Sequence, residues 1–220
     1  MWQRVILLAA ASLIIVRTAL AAEVRVIDGD TLRIGDISHR LYGIDAPEAG
    51  QKCAKENGGS WACGKAAISA MEALVLGARS VQCEPQGEDD YGRKLSICFA
   101  DSVNLNEEMV RLGLAWSFRR YSSMFNELEE EIRSTATGIW QAETQTPWDY
   151  RAERWQVAEQ EAPNGCAIKG NINRKGEKIY HAPWSPWYDR TKVDESKGQR
   201  WFCSEAEATA AGWRAPMWGR

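Results

Sequence analysis

Four carboxylates and a guanidinium crowd one short stretch of the chain, Asp28-Gly29-Asp30-Thr31, Arg40 and Asp45-Ala46-Pro47-Glu48, and a second arginine closes Asp89-Asp90-Tyr91-Gly92-Arg93. Carboxylates gathered this densely suit a hard cation such as calcium, which takes oxygen ligands. Guanidinium forks hold phosphate oxygens through paired N–H donors. A site with both is equipped for a phosphodiester, the metal acting as Lewis acid and the arginines neutralising charge that builds in the transition state. Asp-Gly-Asp by itself is an ordinary turn. The added Arg40, Asp45, Glu48 and Arg93 make it a candidate site. The two histidines, His39 and His181, lie beside no candidate nucleophile in the sequence, which disfavours a histidine-based hydrolase.

These residues need strand ends and turns to hold them. Val24 and Val26 alternate with polar residues as a half-buried strand does, Thr31 to Ile34 continue the pattern, Gly35-Asp36 marks a turn, and Ser38 to Ile44 reads as a third strand. Residues 49–63 read as a loop. A helix is predicted from about Lys65 to Leu76, with Ile68, Met71 and Val75 on one face and Gly77 as its stop. Ser80–Glu84 and Lys94–Phe99 read as hairpin arms. Leu105, Met109 and Leu112 mark a second helix, and Ser123 to Thr135 a third, with Phe125, Leu128 and Ile132 inward. The run Glu127 to Glu131 reads as that helix's wet face. Short strands punctuated by a helix after the third predict a small closed barrel. Pro147 to Glu161 reads as a further helix, broken at Pro163-Asn164-Gly165, and a tail rich in tryptophan, glycine and proline follows, its tryptophans read as a small domain's core.

The chain starts with Arg4, an apolar run Val5 to Val16 and Ala19-Leu20-Ala21. This is the layout of a signal peptide, and the run is shorter than the roughly 20 residues a bilayer span needs. Export with cleavage near Ala21 or Ala22 is expected, to the periplasm or the medium. In an oxidising compartment the six cysteines read as disulfides. Order and spacing give Cys53–Cys63, Cys83–Cys98 and Cys166–Cys203. Cys83 and Cys98 lie symmetrically about the Asp89–Gly92 turn, as facing hairpin positions do. No two cysteines have the close spacing of a zinc site. Charge is uneven: residues 22–162 hold 15 Lys+Arg against 24 Asp+Glu, a balance of −9, and residues 163–220 hold 10 against 6, a balance of +4. An acidic body is awkward for a protein that meets a polyanion. A bound cation would offset part of it, and the basic tail would supply further attraction.

Taken together these blocks resemble the thermonuclease family, the staphylococcal-nuclease-like domains with an OB-type barrel. The resemblance covers about Val24 to Trp140. It rests on Val26-Ile27-Asp28-Gly29-Asp30-Thr31, Arg40-Leu41-Tyr42-Gly43-Ile44-Asp45-Ala46-Pro47-Glu48, Asp89-Asp90-Tyr91-Gly92-Arg93, Asn106 to Ala115 and Gly138-Ile139-Trp140. It implies that Asp30, Asp45 and the backbone carbonyl of Ala46 hold a calcium ion. Glu48 would position or deprotonate the attacking water, and Arg40 and Arg93 would grip the scissile phosphate. Asp28 and Thr31 would support the metal ligands from behind, and Tyr91 and Tyr121 would line the nucleotide pocket. Two departures stand out. Asp90 stands where the best-known member has a lysine that meets a neighbouring phosphate, and Arg119 stands where that member has a pocket tyrosine. Arg119 and Arg120 are candidates to restore the phosphate contact. The tail, from Cys166-Ala167-Ile168-Lys169-Gly170 to Arg200-Trp201-Phe202-Cys203, resembles a module in exported bacterial nucleases, some of them named as succinoglycan (exopolysaccharide) biosynthesis proteins.

The expectation is therefore an α+β, mainly β chain: a five-stranded OB-type barrel with three helices and a small Cys/Trp-rich C-terminal domain. Its divisions are residues 1–21 (signal), 22–146 (nuclease-like), 147–162 (helical linker) and 163–220 (tail module). The expected product is a monomeric, calcium-dependent nuclease cutting DNA and RNA to leave 3′-phosphates, with no membrane segment after cleavage. The rivals are a non-catalytic OB module that binds nucleic acid and a cell-envelope or exopolysaccharide factor whose tail holds an acidic polymer.

Overall fold

The computed structural model describes residues 23–217; the signal segment expected at 1–21 and the last tryptophan, Trp218, lie outside the described residues. In chain order the first part runs β1 (Val24–Asp28), β2 (Thr31–Ile34), β3 (Ile37–Leu41), β4 (Ile44–Asp45), β5 (Cys53–Ala54), β6 (Ser60–Trp61), α1 (Cys63–Leu76), β7 (Val81–Glu88), β8 (Lys94–Ala100), β9 (Val103–Asn104), α2 (Leu105–Arg111), β10 (Trp116–Ser117) and α3 (Asn126–Ser134). The second part holds α4 (Pro147–Glu161), β11 (Ile168–Ile172), β12 (Lys178–His181), β13 (Arg200–Phe202) and α5 (Glu205–Ala210).

The first three strands form the expected antiparallel meander, with buried Val26 opposite buried Leu32. The third strand is shorter than predicted. Gly43 takes a φ of 79°, a left-handed conformation open mainly to glycine, and this breaks Ser38–Ile44 into β3 and β4. β4 then leaves the sheet to pair with β10. β3 continues instead in parallel with β8, and β8 pairs with β7 along a hairpin longer than its predicted arms. The sheet order is β1-β2-β3-β8-β7, with β9 on β8. This curled mixed sheet is an OB-type half-barrel, the fold class expected. Helices α1, α2 and α3 close it around Leu32, Leu41, Ile44, Met71, Leu105 and Met109. Asn106, at the start of α2, fills the gap where β3 ends: its Nδ2 donates to the Tyr42 and Ser96 carbonyls at 2.9 and 3.0 Å, and its Oδ1 accepts the Cys98 N–H at 3.0 Å. The predicted loop 49–63 carries the small β5–β6 ladder.

The reading of Glu127–Glu131 as a wet face fails at Glu129. Its carboxylate turns inward and is 4 % exposed, because the Ser117 N–H and the Arg119 guanidinium converge on it.

α4 forms over Pro147–Glu161 as its start signals require: Thr146 caps it and Pro147 occupies the first turn, where a missing N–H costs nothing. It is more than a spacer. Trp148 stacks on Phe118 of the barrel side at 5.5 Å, and Trp155 packs on the tail's core of Ile168, Tyr180, Phe202, Ala208 and Trp213. The tail is a three-stranded sheet, β12-β11-β13, with α5 against it. Trp213 belongs to its core as read, whereas Trp187 is exposed. Disulfides join Cys53 to Cys63, Cys83 to Cys98 and Cys166 to Cys203. No helix of the described residues is long and apolar enough to cross a membrane.

Candidate active site

Two close backbone approaches build the site. A Cβ on Gly29 would meet Ala67 and Ala46 side chains at 2.8 and 2.9 Å, so only glycine lets the β1–β2 turn lie against α1 and the chain after β4. A Cβ on Gly64 would stand 1.8 Å from the Glu48 carbonyl oxygen, so the first turn of α1 presses on the backbone that carries Glu48. Gln51, 1 % exposed, holds the same loop: its Oε1 accepts the Glu48 N–H at 3.1 Å and its Nε2 donates to the Gln145 carbonyl at 2.7 Å.

On this frame the predicted residues meet. Asp28 Oδ1 accepts the Asp30 N–H at 3.1 Å, fixing the turn. Asp30, 3 % exposed, accepts from Thr31 Oγ1 at 3.1 Å and from the Ala46 backbone N–H at 2.9 Å. Arg40 spans the two buried aspartates, Nη1 donating to Asp30 at 2.9 Å and Nη2 to Asp45 at 2.8 Å. An unpredicted residue completes the chain of charges. Arg151 of α4 donates through Nη2 to Asp45 Oδ2 at 2.6 Å and through Nη1 to Asp45 Oδ1 at 3.1 Å and Glu48 Oε1 at 2.7 Å.

Asp28, Arg40, Glu48 and Arg151 line a cleft of about 730 Å³, with Tyr91, Arg93 and Tyr121 on the barrel side and Tyr180, Trp184 and Trp213 on the tail side, while Asp30 and Asp45 lie buried behind it. Arg93 donates to Asp89 at 2.7 Å and lies over the Tyr91 ring at 5.2 Å. Tyr91 is 42 % and Tyr121 61 % exposed, and Arg120 lies over the Tyr121 ring at 5.6 Å. Arg119 is separated from this group. It lines a neighbouring pocket of about 460 Å³ with Arg120, and is tied to Glu129 at 3.1 Å and Glu130 at 3.3 Å. Each histidine does contact a serine, His39 with Ser96 and His181 with Ser185, contrary to the sequence reading, but all four side chains are buried.

Burial raises the Asp30 and Glu48 carboxyls, Glu48 to about 8 despite the opposing charge of Arg151. Burial also works against the guanidinium charge of Arg40, but Asp30 and Asp45 outweigh it and its pKa rises. Asp28, Asp30, Asp45 and Glu48 face two guanidiniums here, a formal balance of −2, which one divalent cation would neutralise. The oxygen donors here are two buried carboxylates, Asp30 and Asp45, joined through Arg40. That set fits a hard cation. Among the described residues no three carboxylates lie within mutual ligand distance of 4.8 Å. Glu48 is linked to Asp45 through Arg151 Nη1, which donates to both.

Two contributors escaped the sequence reading. Gln51 lies in a stretch read as plain loop, and nothing in its surroundings marks it. Arg151 lies on a helix read as a linker, 106 positions from Asp45.

The family model described as Staphylococcal nuclease homologue matches residues 38–142, and a model described as ArfC matches residues 151–215. A Rhizobium meliloti protein named Succinoglycan biosynthesis protein ExoI is 34% identical over 173 residues, covering 75% of this chain and 81% of the relative. An Escherichia coli O157:H7 protein named Uncharacterized endonuclease is 35% identical over 58% of this chain and 82% of its own length. Micrococcal nuclease of Shigella flexneri is 31% identical over 64% and 82%. An OB-type half-barrel with these relatives defines a thermonuclease-like nuclease. The chain belongs to the staphylococcal nuclease homologue family.

Proposed function

We propose that this protein is an exported, calcium-dependent nuclease that hydrolyses DNA and RNA and leaves 3′-phosphate ends. The observation that carries the reading is the continuous run of contacts from Asp30 through Arg40 to Asp45 and on through Arg151 to Glu48, behind a cleft lined by Arg40, Glu48 and Arg93. Asp30, Asp45 and the Ala46 carbonyl would hold the cation, which when bound supplies Lewis-acid activation of a phosphoryl oxygen. Glu48 takes the proton of the attacking water; its raised carboxyl makes it a base matched to near-neutral pH. Arg40 and Arg93 donate to the phosphoryl oxygens as charge grows on them. Tyr91 and Tyr121 offer ring faces to the flanking bases. Three disulfides support an oxidising destination. The residue ranges 22–146 and 163–220 serve as nuclease unit and tail, with α4 shared between them.

The test is digestion of single- and double-stranded DNA and of RNA with calcium, then with chelator. Cleavage is expected only with the metal. Arg93→Ala and Glu48→Ala are each expected to lower the rate by a factor of at least ~10², with the far-UV spectrum unchanged. Substrate that is bound and never shortened would refute the assignment.

A further inference from the structure

The mechanism above assigns no role to Arg151, the link between Asp45 and Glu48. Arg151 belongs to α4, beyond the stretch matched by the nuclease family, and begins the stretch matched by ArfC. Its guanidinium nevertheless lies inside the acidic site. Three hydrogen bonds, at 2.6, 2.7 and 3.1 Å, go to a candidate metal ligand and to the candidate base. We propose that Arg151 is a positioning residue of the active site, its planar fork fixing the Glu48 carboxylate against Asp45. The inference rests on the nuclease reading and adds a member to that site.

Three observations support it. The first is the geometry: one nitrogen, Nη1, is shared between Asp45 Oδ1 and Glu48 Oε1, so both oxygens are held within hydrogen-bond reach of a single atom. Two carboxylates do not approach each other unaided, because their charges repel. A bidentate guanidinium is the side chain that can bridge them, and a lysine ammonium lacks that fork. The second is charge. Without Arg151 the four carboxylates would face Arg40 alone, a balance of −3, which one divalent cation cannot neutralise. The third is anchoring. α4 is fixed to the barrel by the Phe118–Trp148 stack and by Gln51, whose side chain holds the Gln145 carbonyl just before the helix. The arginine therefore arrives on a rigid element. It is 21 % exposed, on the side of the cleft.

The test uses the full chain carrying Arg151→Gln or Arg151→Lys. Calcium affinity is measured by calorimetry, kcat and KM on a single-stranded DNA oligonucleotide at saturating calcium, and melting temperature in chelator. Removing a positive charge from beside the aspartates is expected to tighten calcium binding in Arg151→Gln by roughly tenfold. Loss of the fork is expected to lower kcat by about 10²-fold with KM within about threefold. Arg151→Lys, which keeps the charge and loses the fork, is expected to bind calcium as the parent does and to remain at least ~10-fold slow. Tighter metal binding with slower turnover is a combination that a purely structural pin would not produce. A variant that only melts earlier, with calcium affinity and kcat unchanged, overturns the proposal. If Arg151→Gln does not fold, Arg151→Lys decides by the same kcat comparison. If the parent binds calcium and cuts nothing, the nuclease reading falls, while the calcium titration still decides whether Arg151 acts on the aspartates.

Discussion

Replacing Glu48 with glutamine is expected to make the metal-free protein more stable at alkaline pH while abolishing cleavage. Burial holds the Glu48 carboxyl at about 8 against an ordinary value of 4.5. A group whose acidic form is favoured by folding is neutral in both folded and unfolded chains below pH 4.5. Above that the unfolded chain ionises first and gains free energy that the native state does not, so stability falls with pH until the folded carboxyl also ionises near 8. At 1.36 kcal/mol per pKa unit the whole difference corresponds to about 5 kcal/mol. The side chain keeps 16 % exposure and an ion pair with Arg151, so about 2–3 kcal/mol is the realistic share. Glutamine has the same shape and does not titrate. In chelator, urea unfolding at pH 5 is expected to give nearly equal stabilities for parent and Glu48→Gln, and at pH 8.5 the variant is expected to lead by about 2–3 kcal/mol. A stability difference that does not change between those pH values, or a variant weaker at pH 8.5, would refute the argument that Glu48 is kept in the fold against its own charge.

Gly64→Ala is expected to cost at least ~2 kcal/mol in urea unfolding, because the new methyl would stand 1.8 Å from the Glu48 carbonyl oxygen. Cleavage should fall with it as the loop carrying Glu48 shifts; a variant of parental stability and rate would contradict the close approach. His181, buried and pushed down to about 4 by desolvation and then by Lys169, is neutral in the folded tail. Its contribution is complete above pH 6.5 and is lost as pH falls toward 4, so the parent should weaken steeply over that interval and His181→Gln should show a flatter profile. Tryptophan fluorescence during acid titration reports it, and identical slopes in the two proteins would count against it.

The layout of the barrel's charged residues was legible because they are placed by short-range rules. Asp28 and Asp30 share a turn, Arg93 closes a turn flanked by cysteines that do face each other across β7 and β8, and α4 begins at a cap and a proline. What the sequence concealed depends on contacts between distant segments. Arg151 meets its partners more than a hundred positions away, and no periodicity carries that information. Glu129 sits in a run of like charges that reads as solvated, and its burial depends on the Ser117 N–H and the Arg119 guanidinium brought to it from another segment. The break of the third strand at Gly43 turns on a positive φ. The tail's sheet was invisible because its packing rests on Gly170, where a Cβ would fall 2.6 Å from the Phe202 ring and 2.9 Å from the Trp213 ring.

The parallel pairing of β3 with β8 has a consequence for how this scaffold can drift. Arg40 lies opposite Leu95, and Arg93 comes just ahead of that strand. The offset between the Arg40 and Arg93 backbones is thus set by one interstrand step of about 4.8 Å and two positions along the strand at about 3.3 Å each, a ruler independent of how far the chain wanders in between. Extra or missing residues at the open tip around Gly58 and Gly59, where nothing is packed nearby, would leave the grip unchanged. The turns at Asp28–Thr31 and Leu41–Glu48 have no such slack, since they border the cleft and the chain there packs on α1, and length variation is expected to spare them.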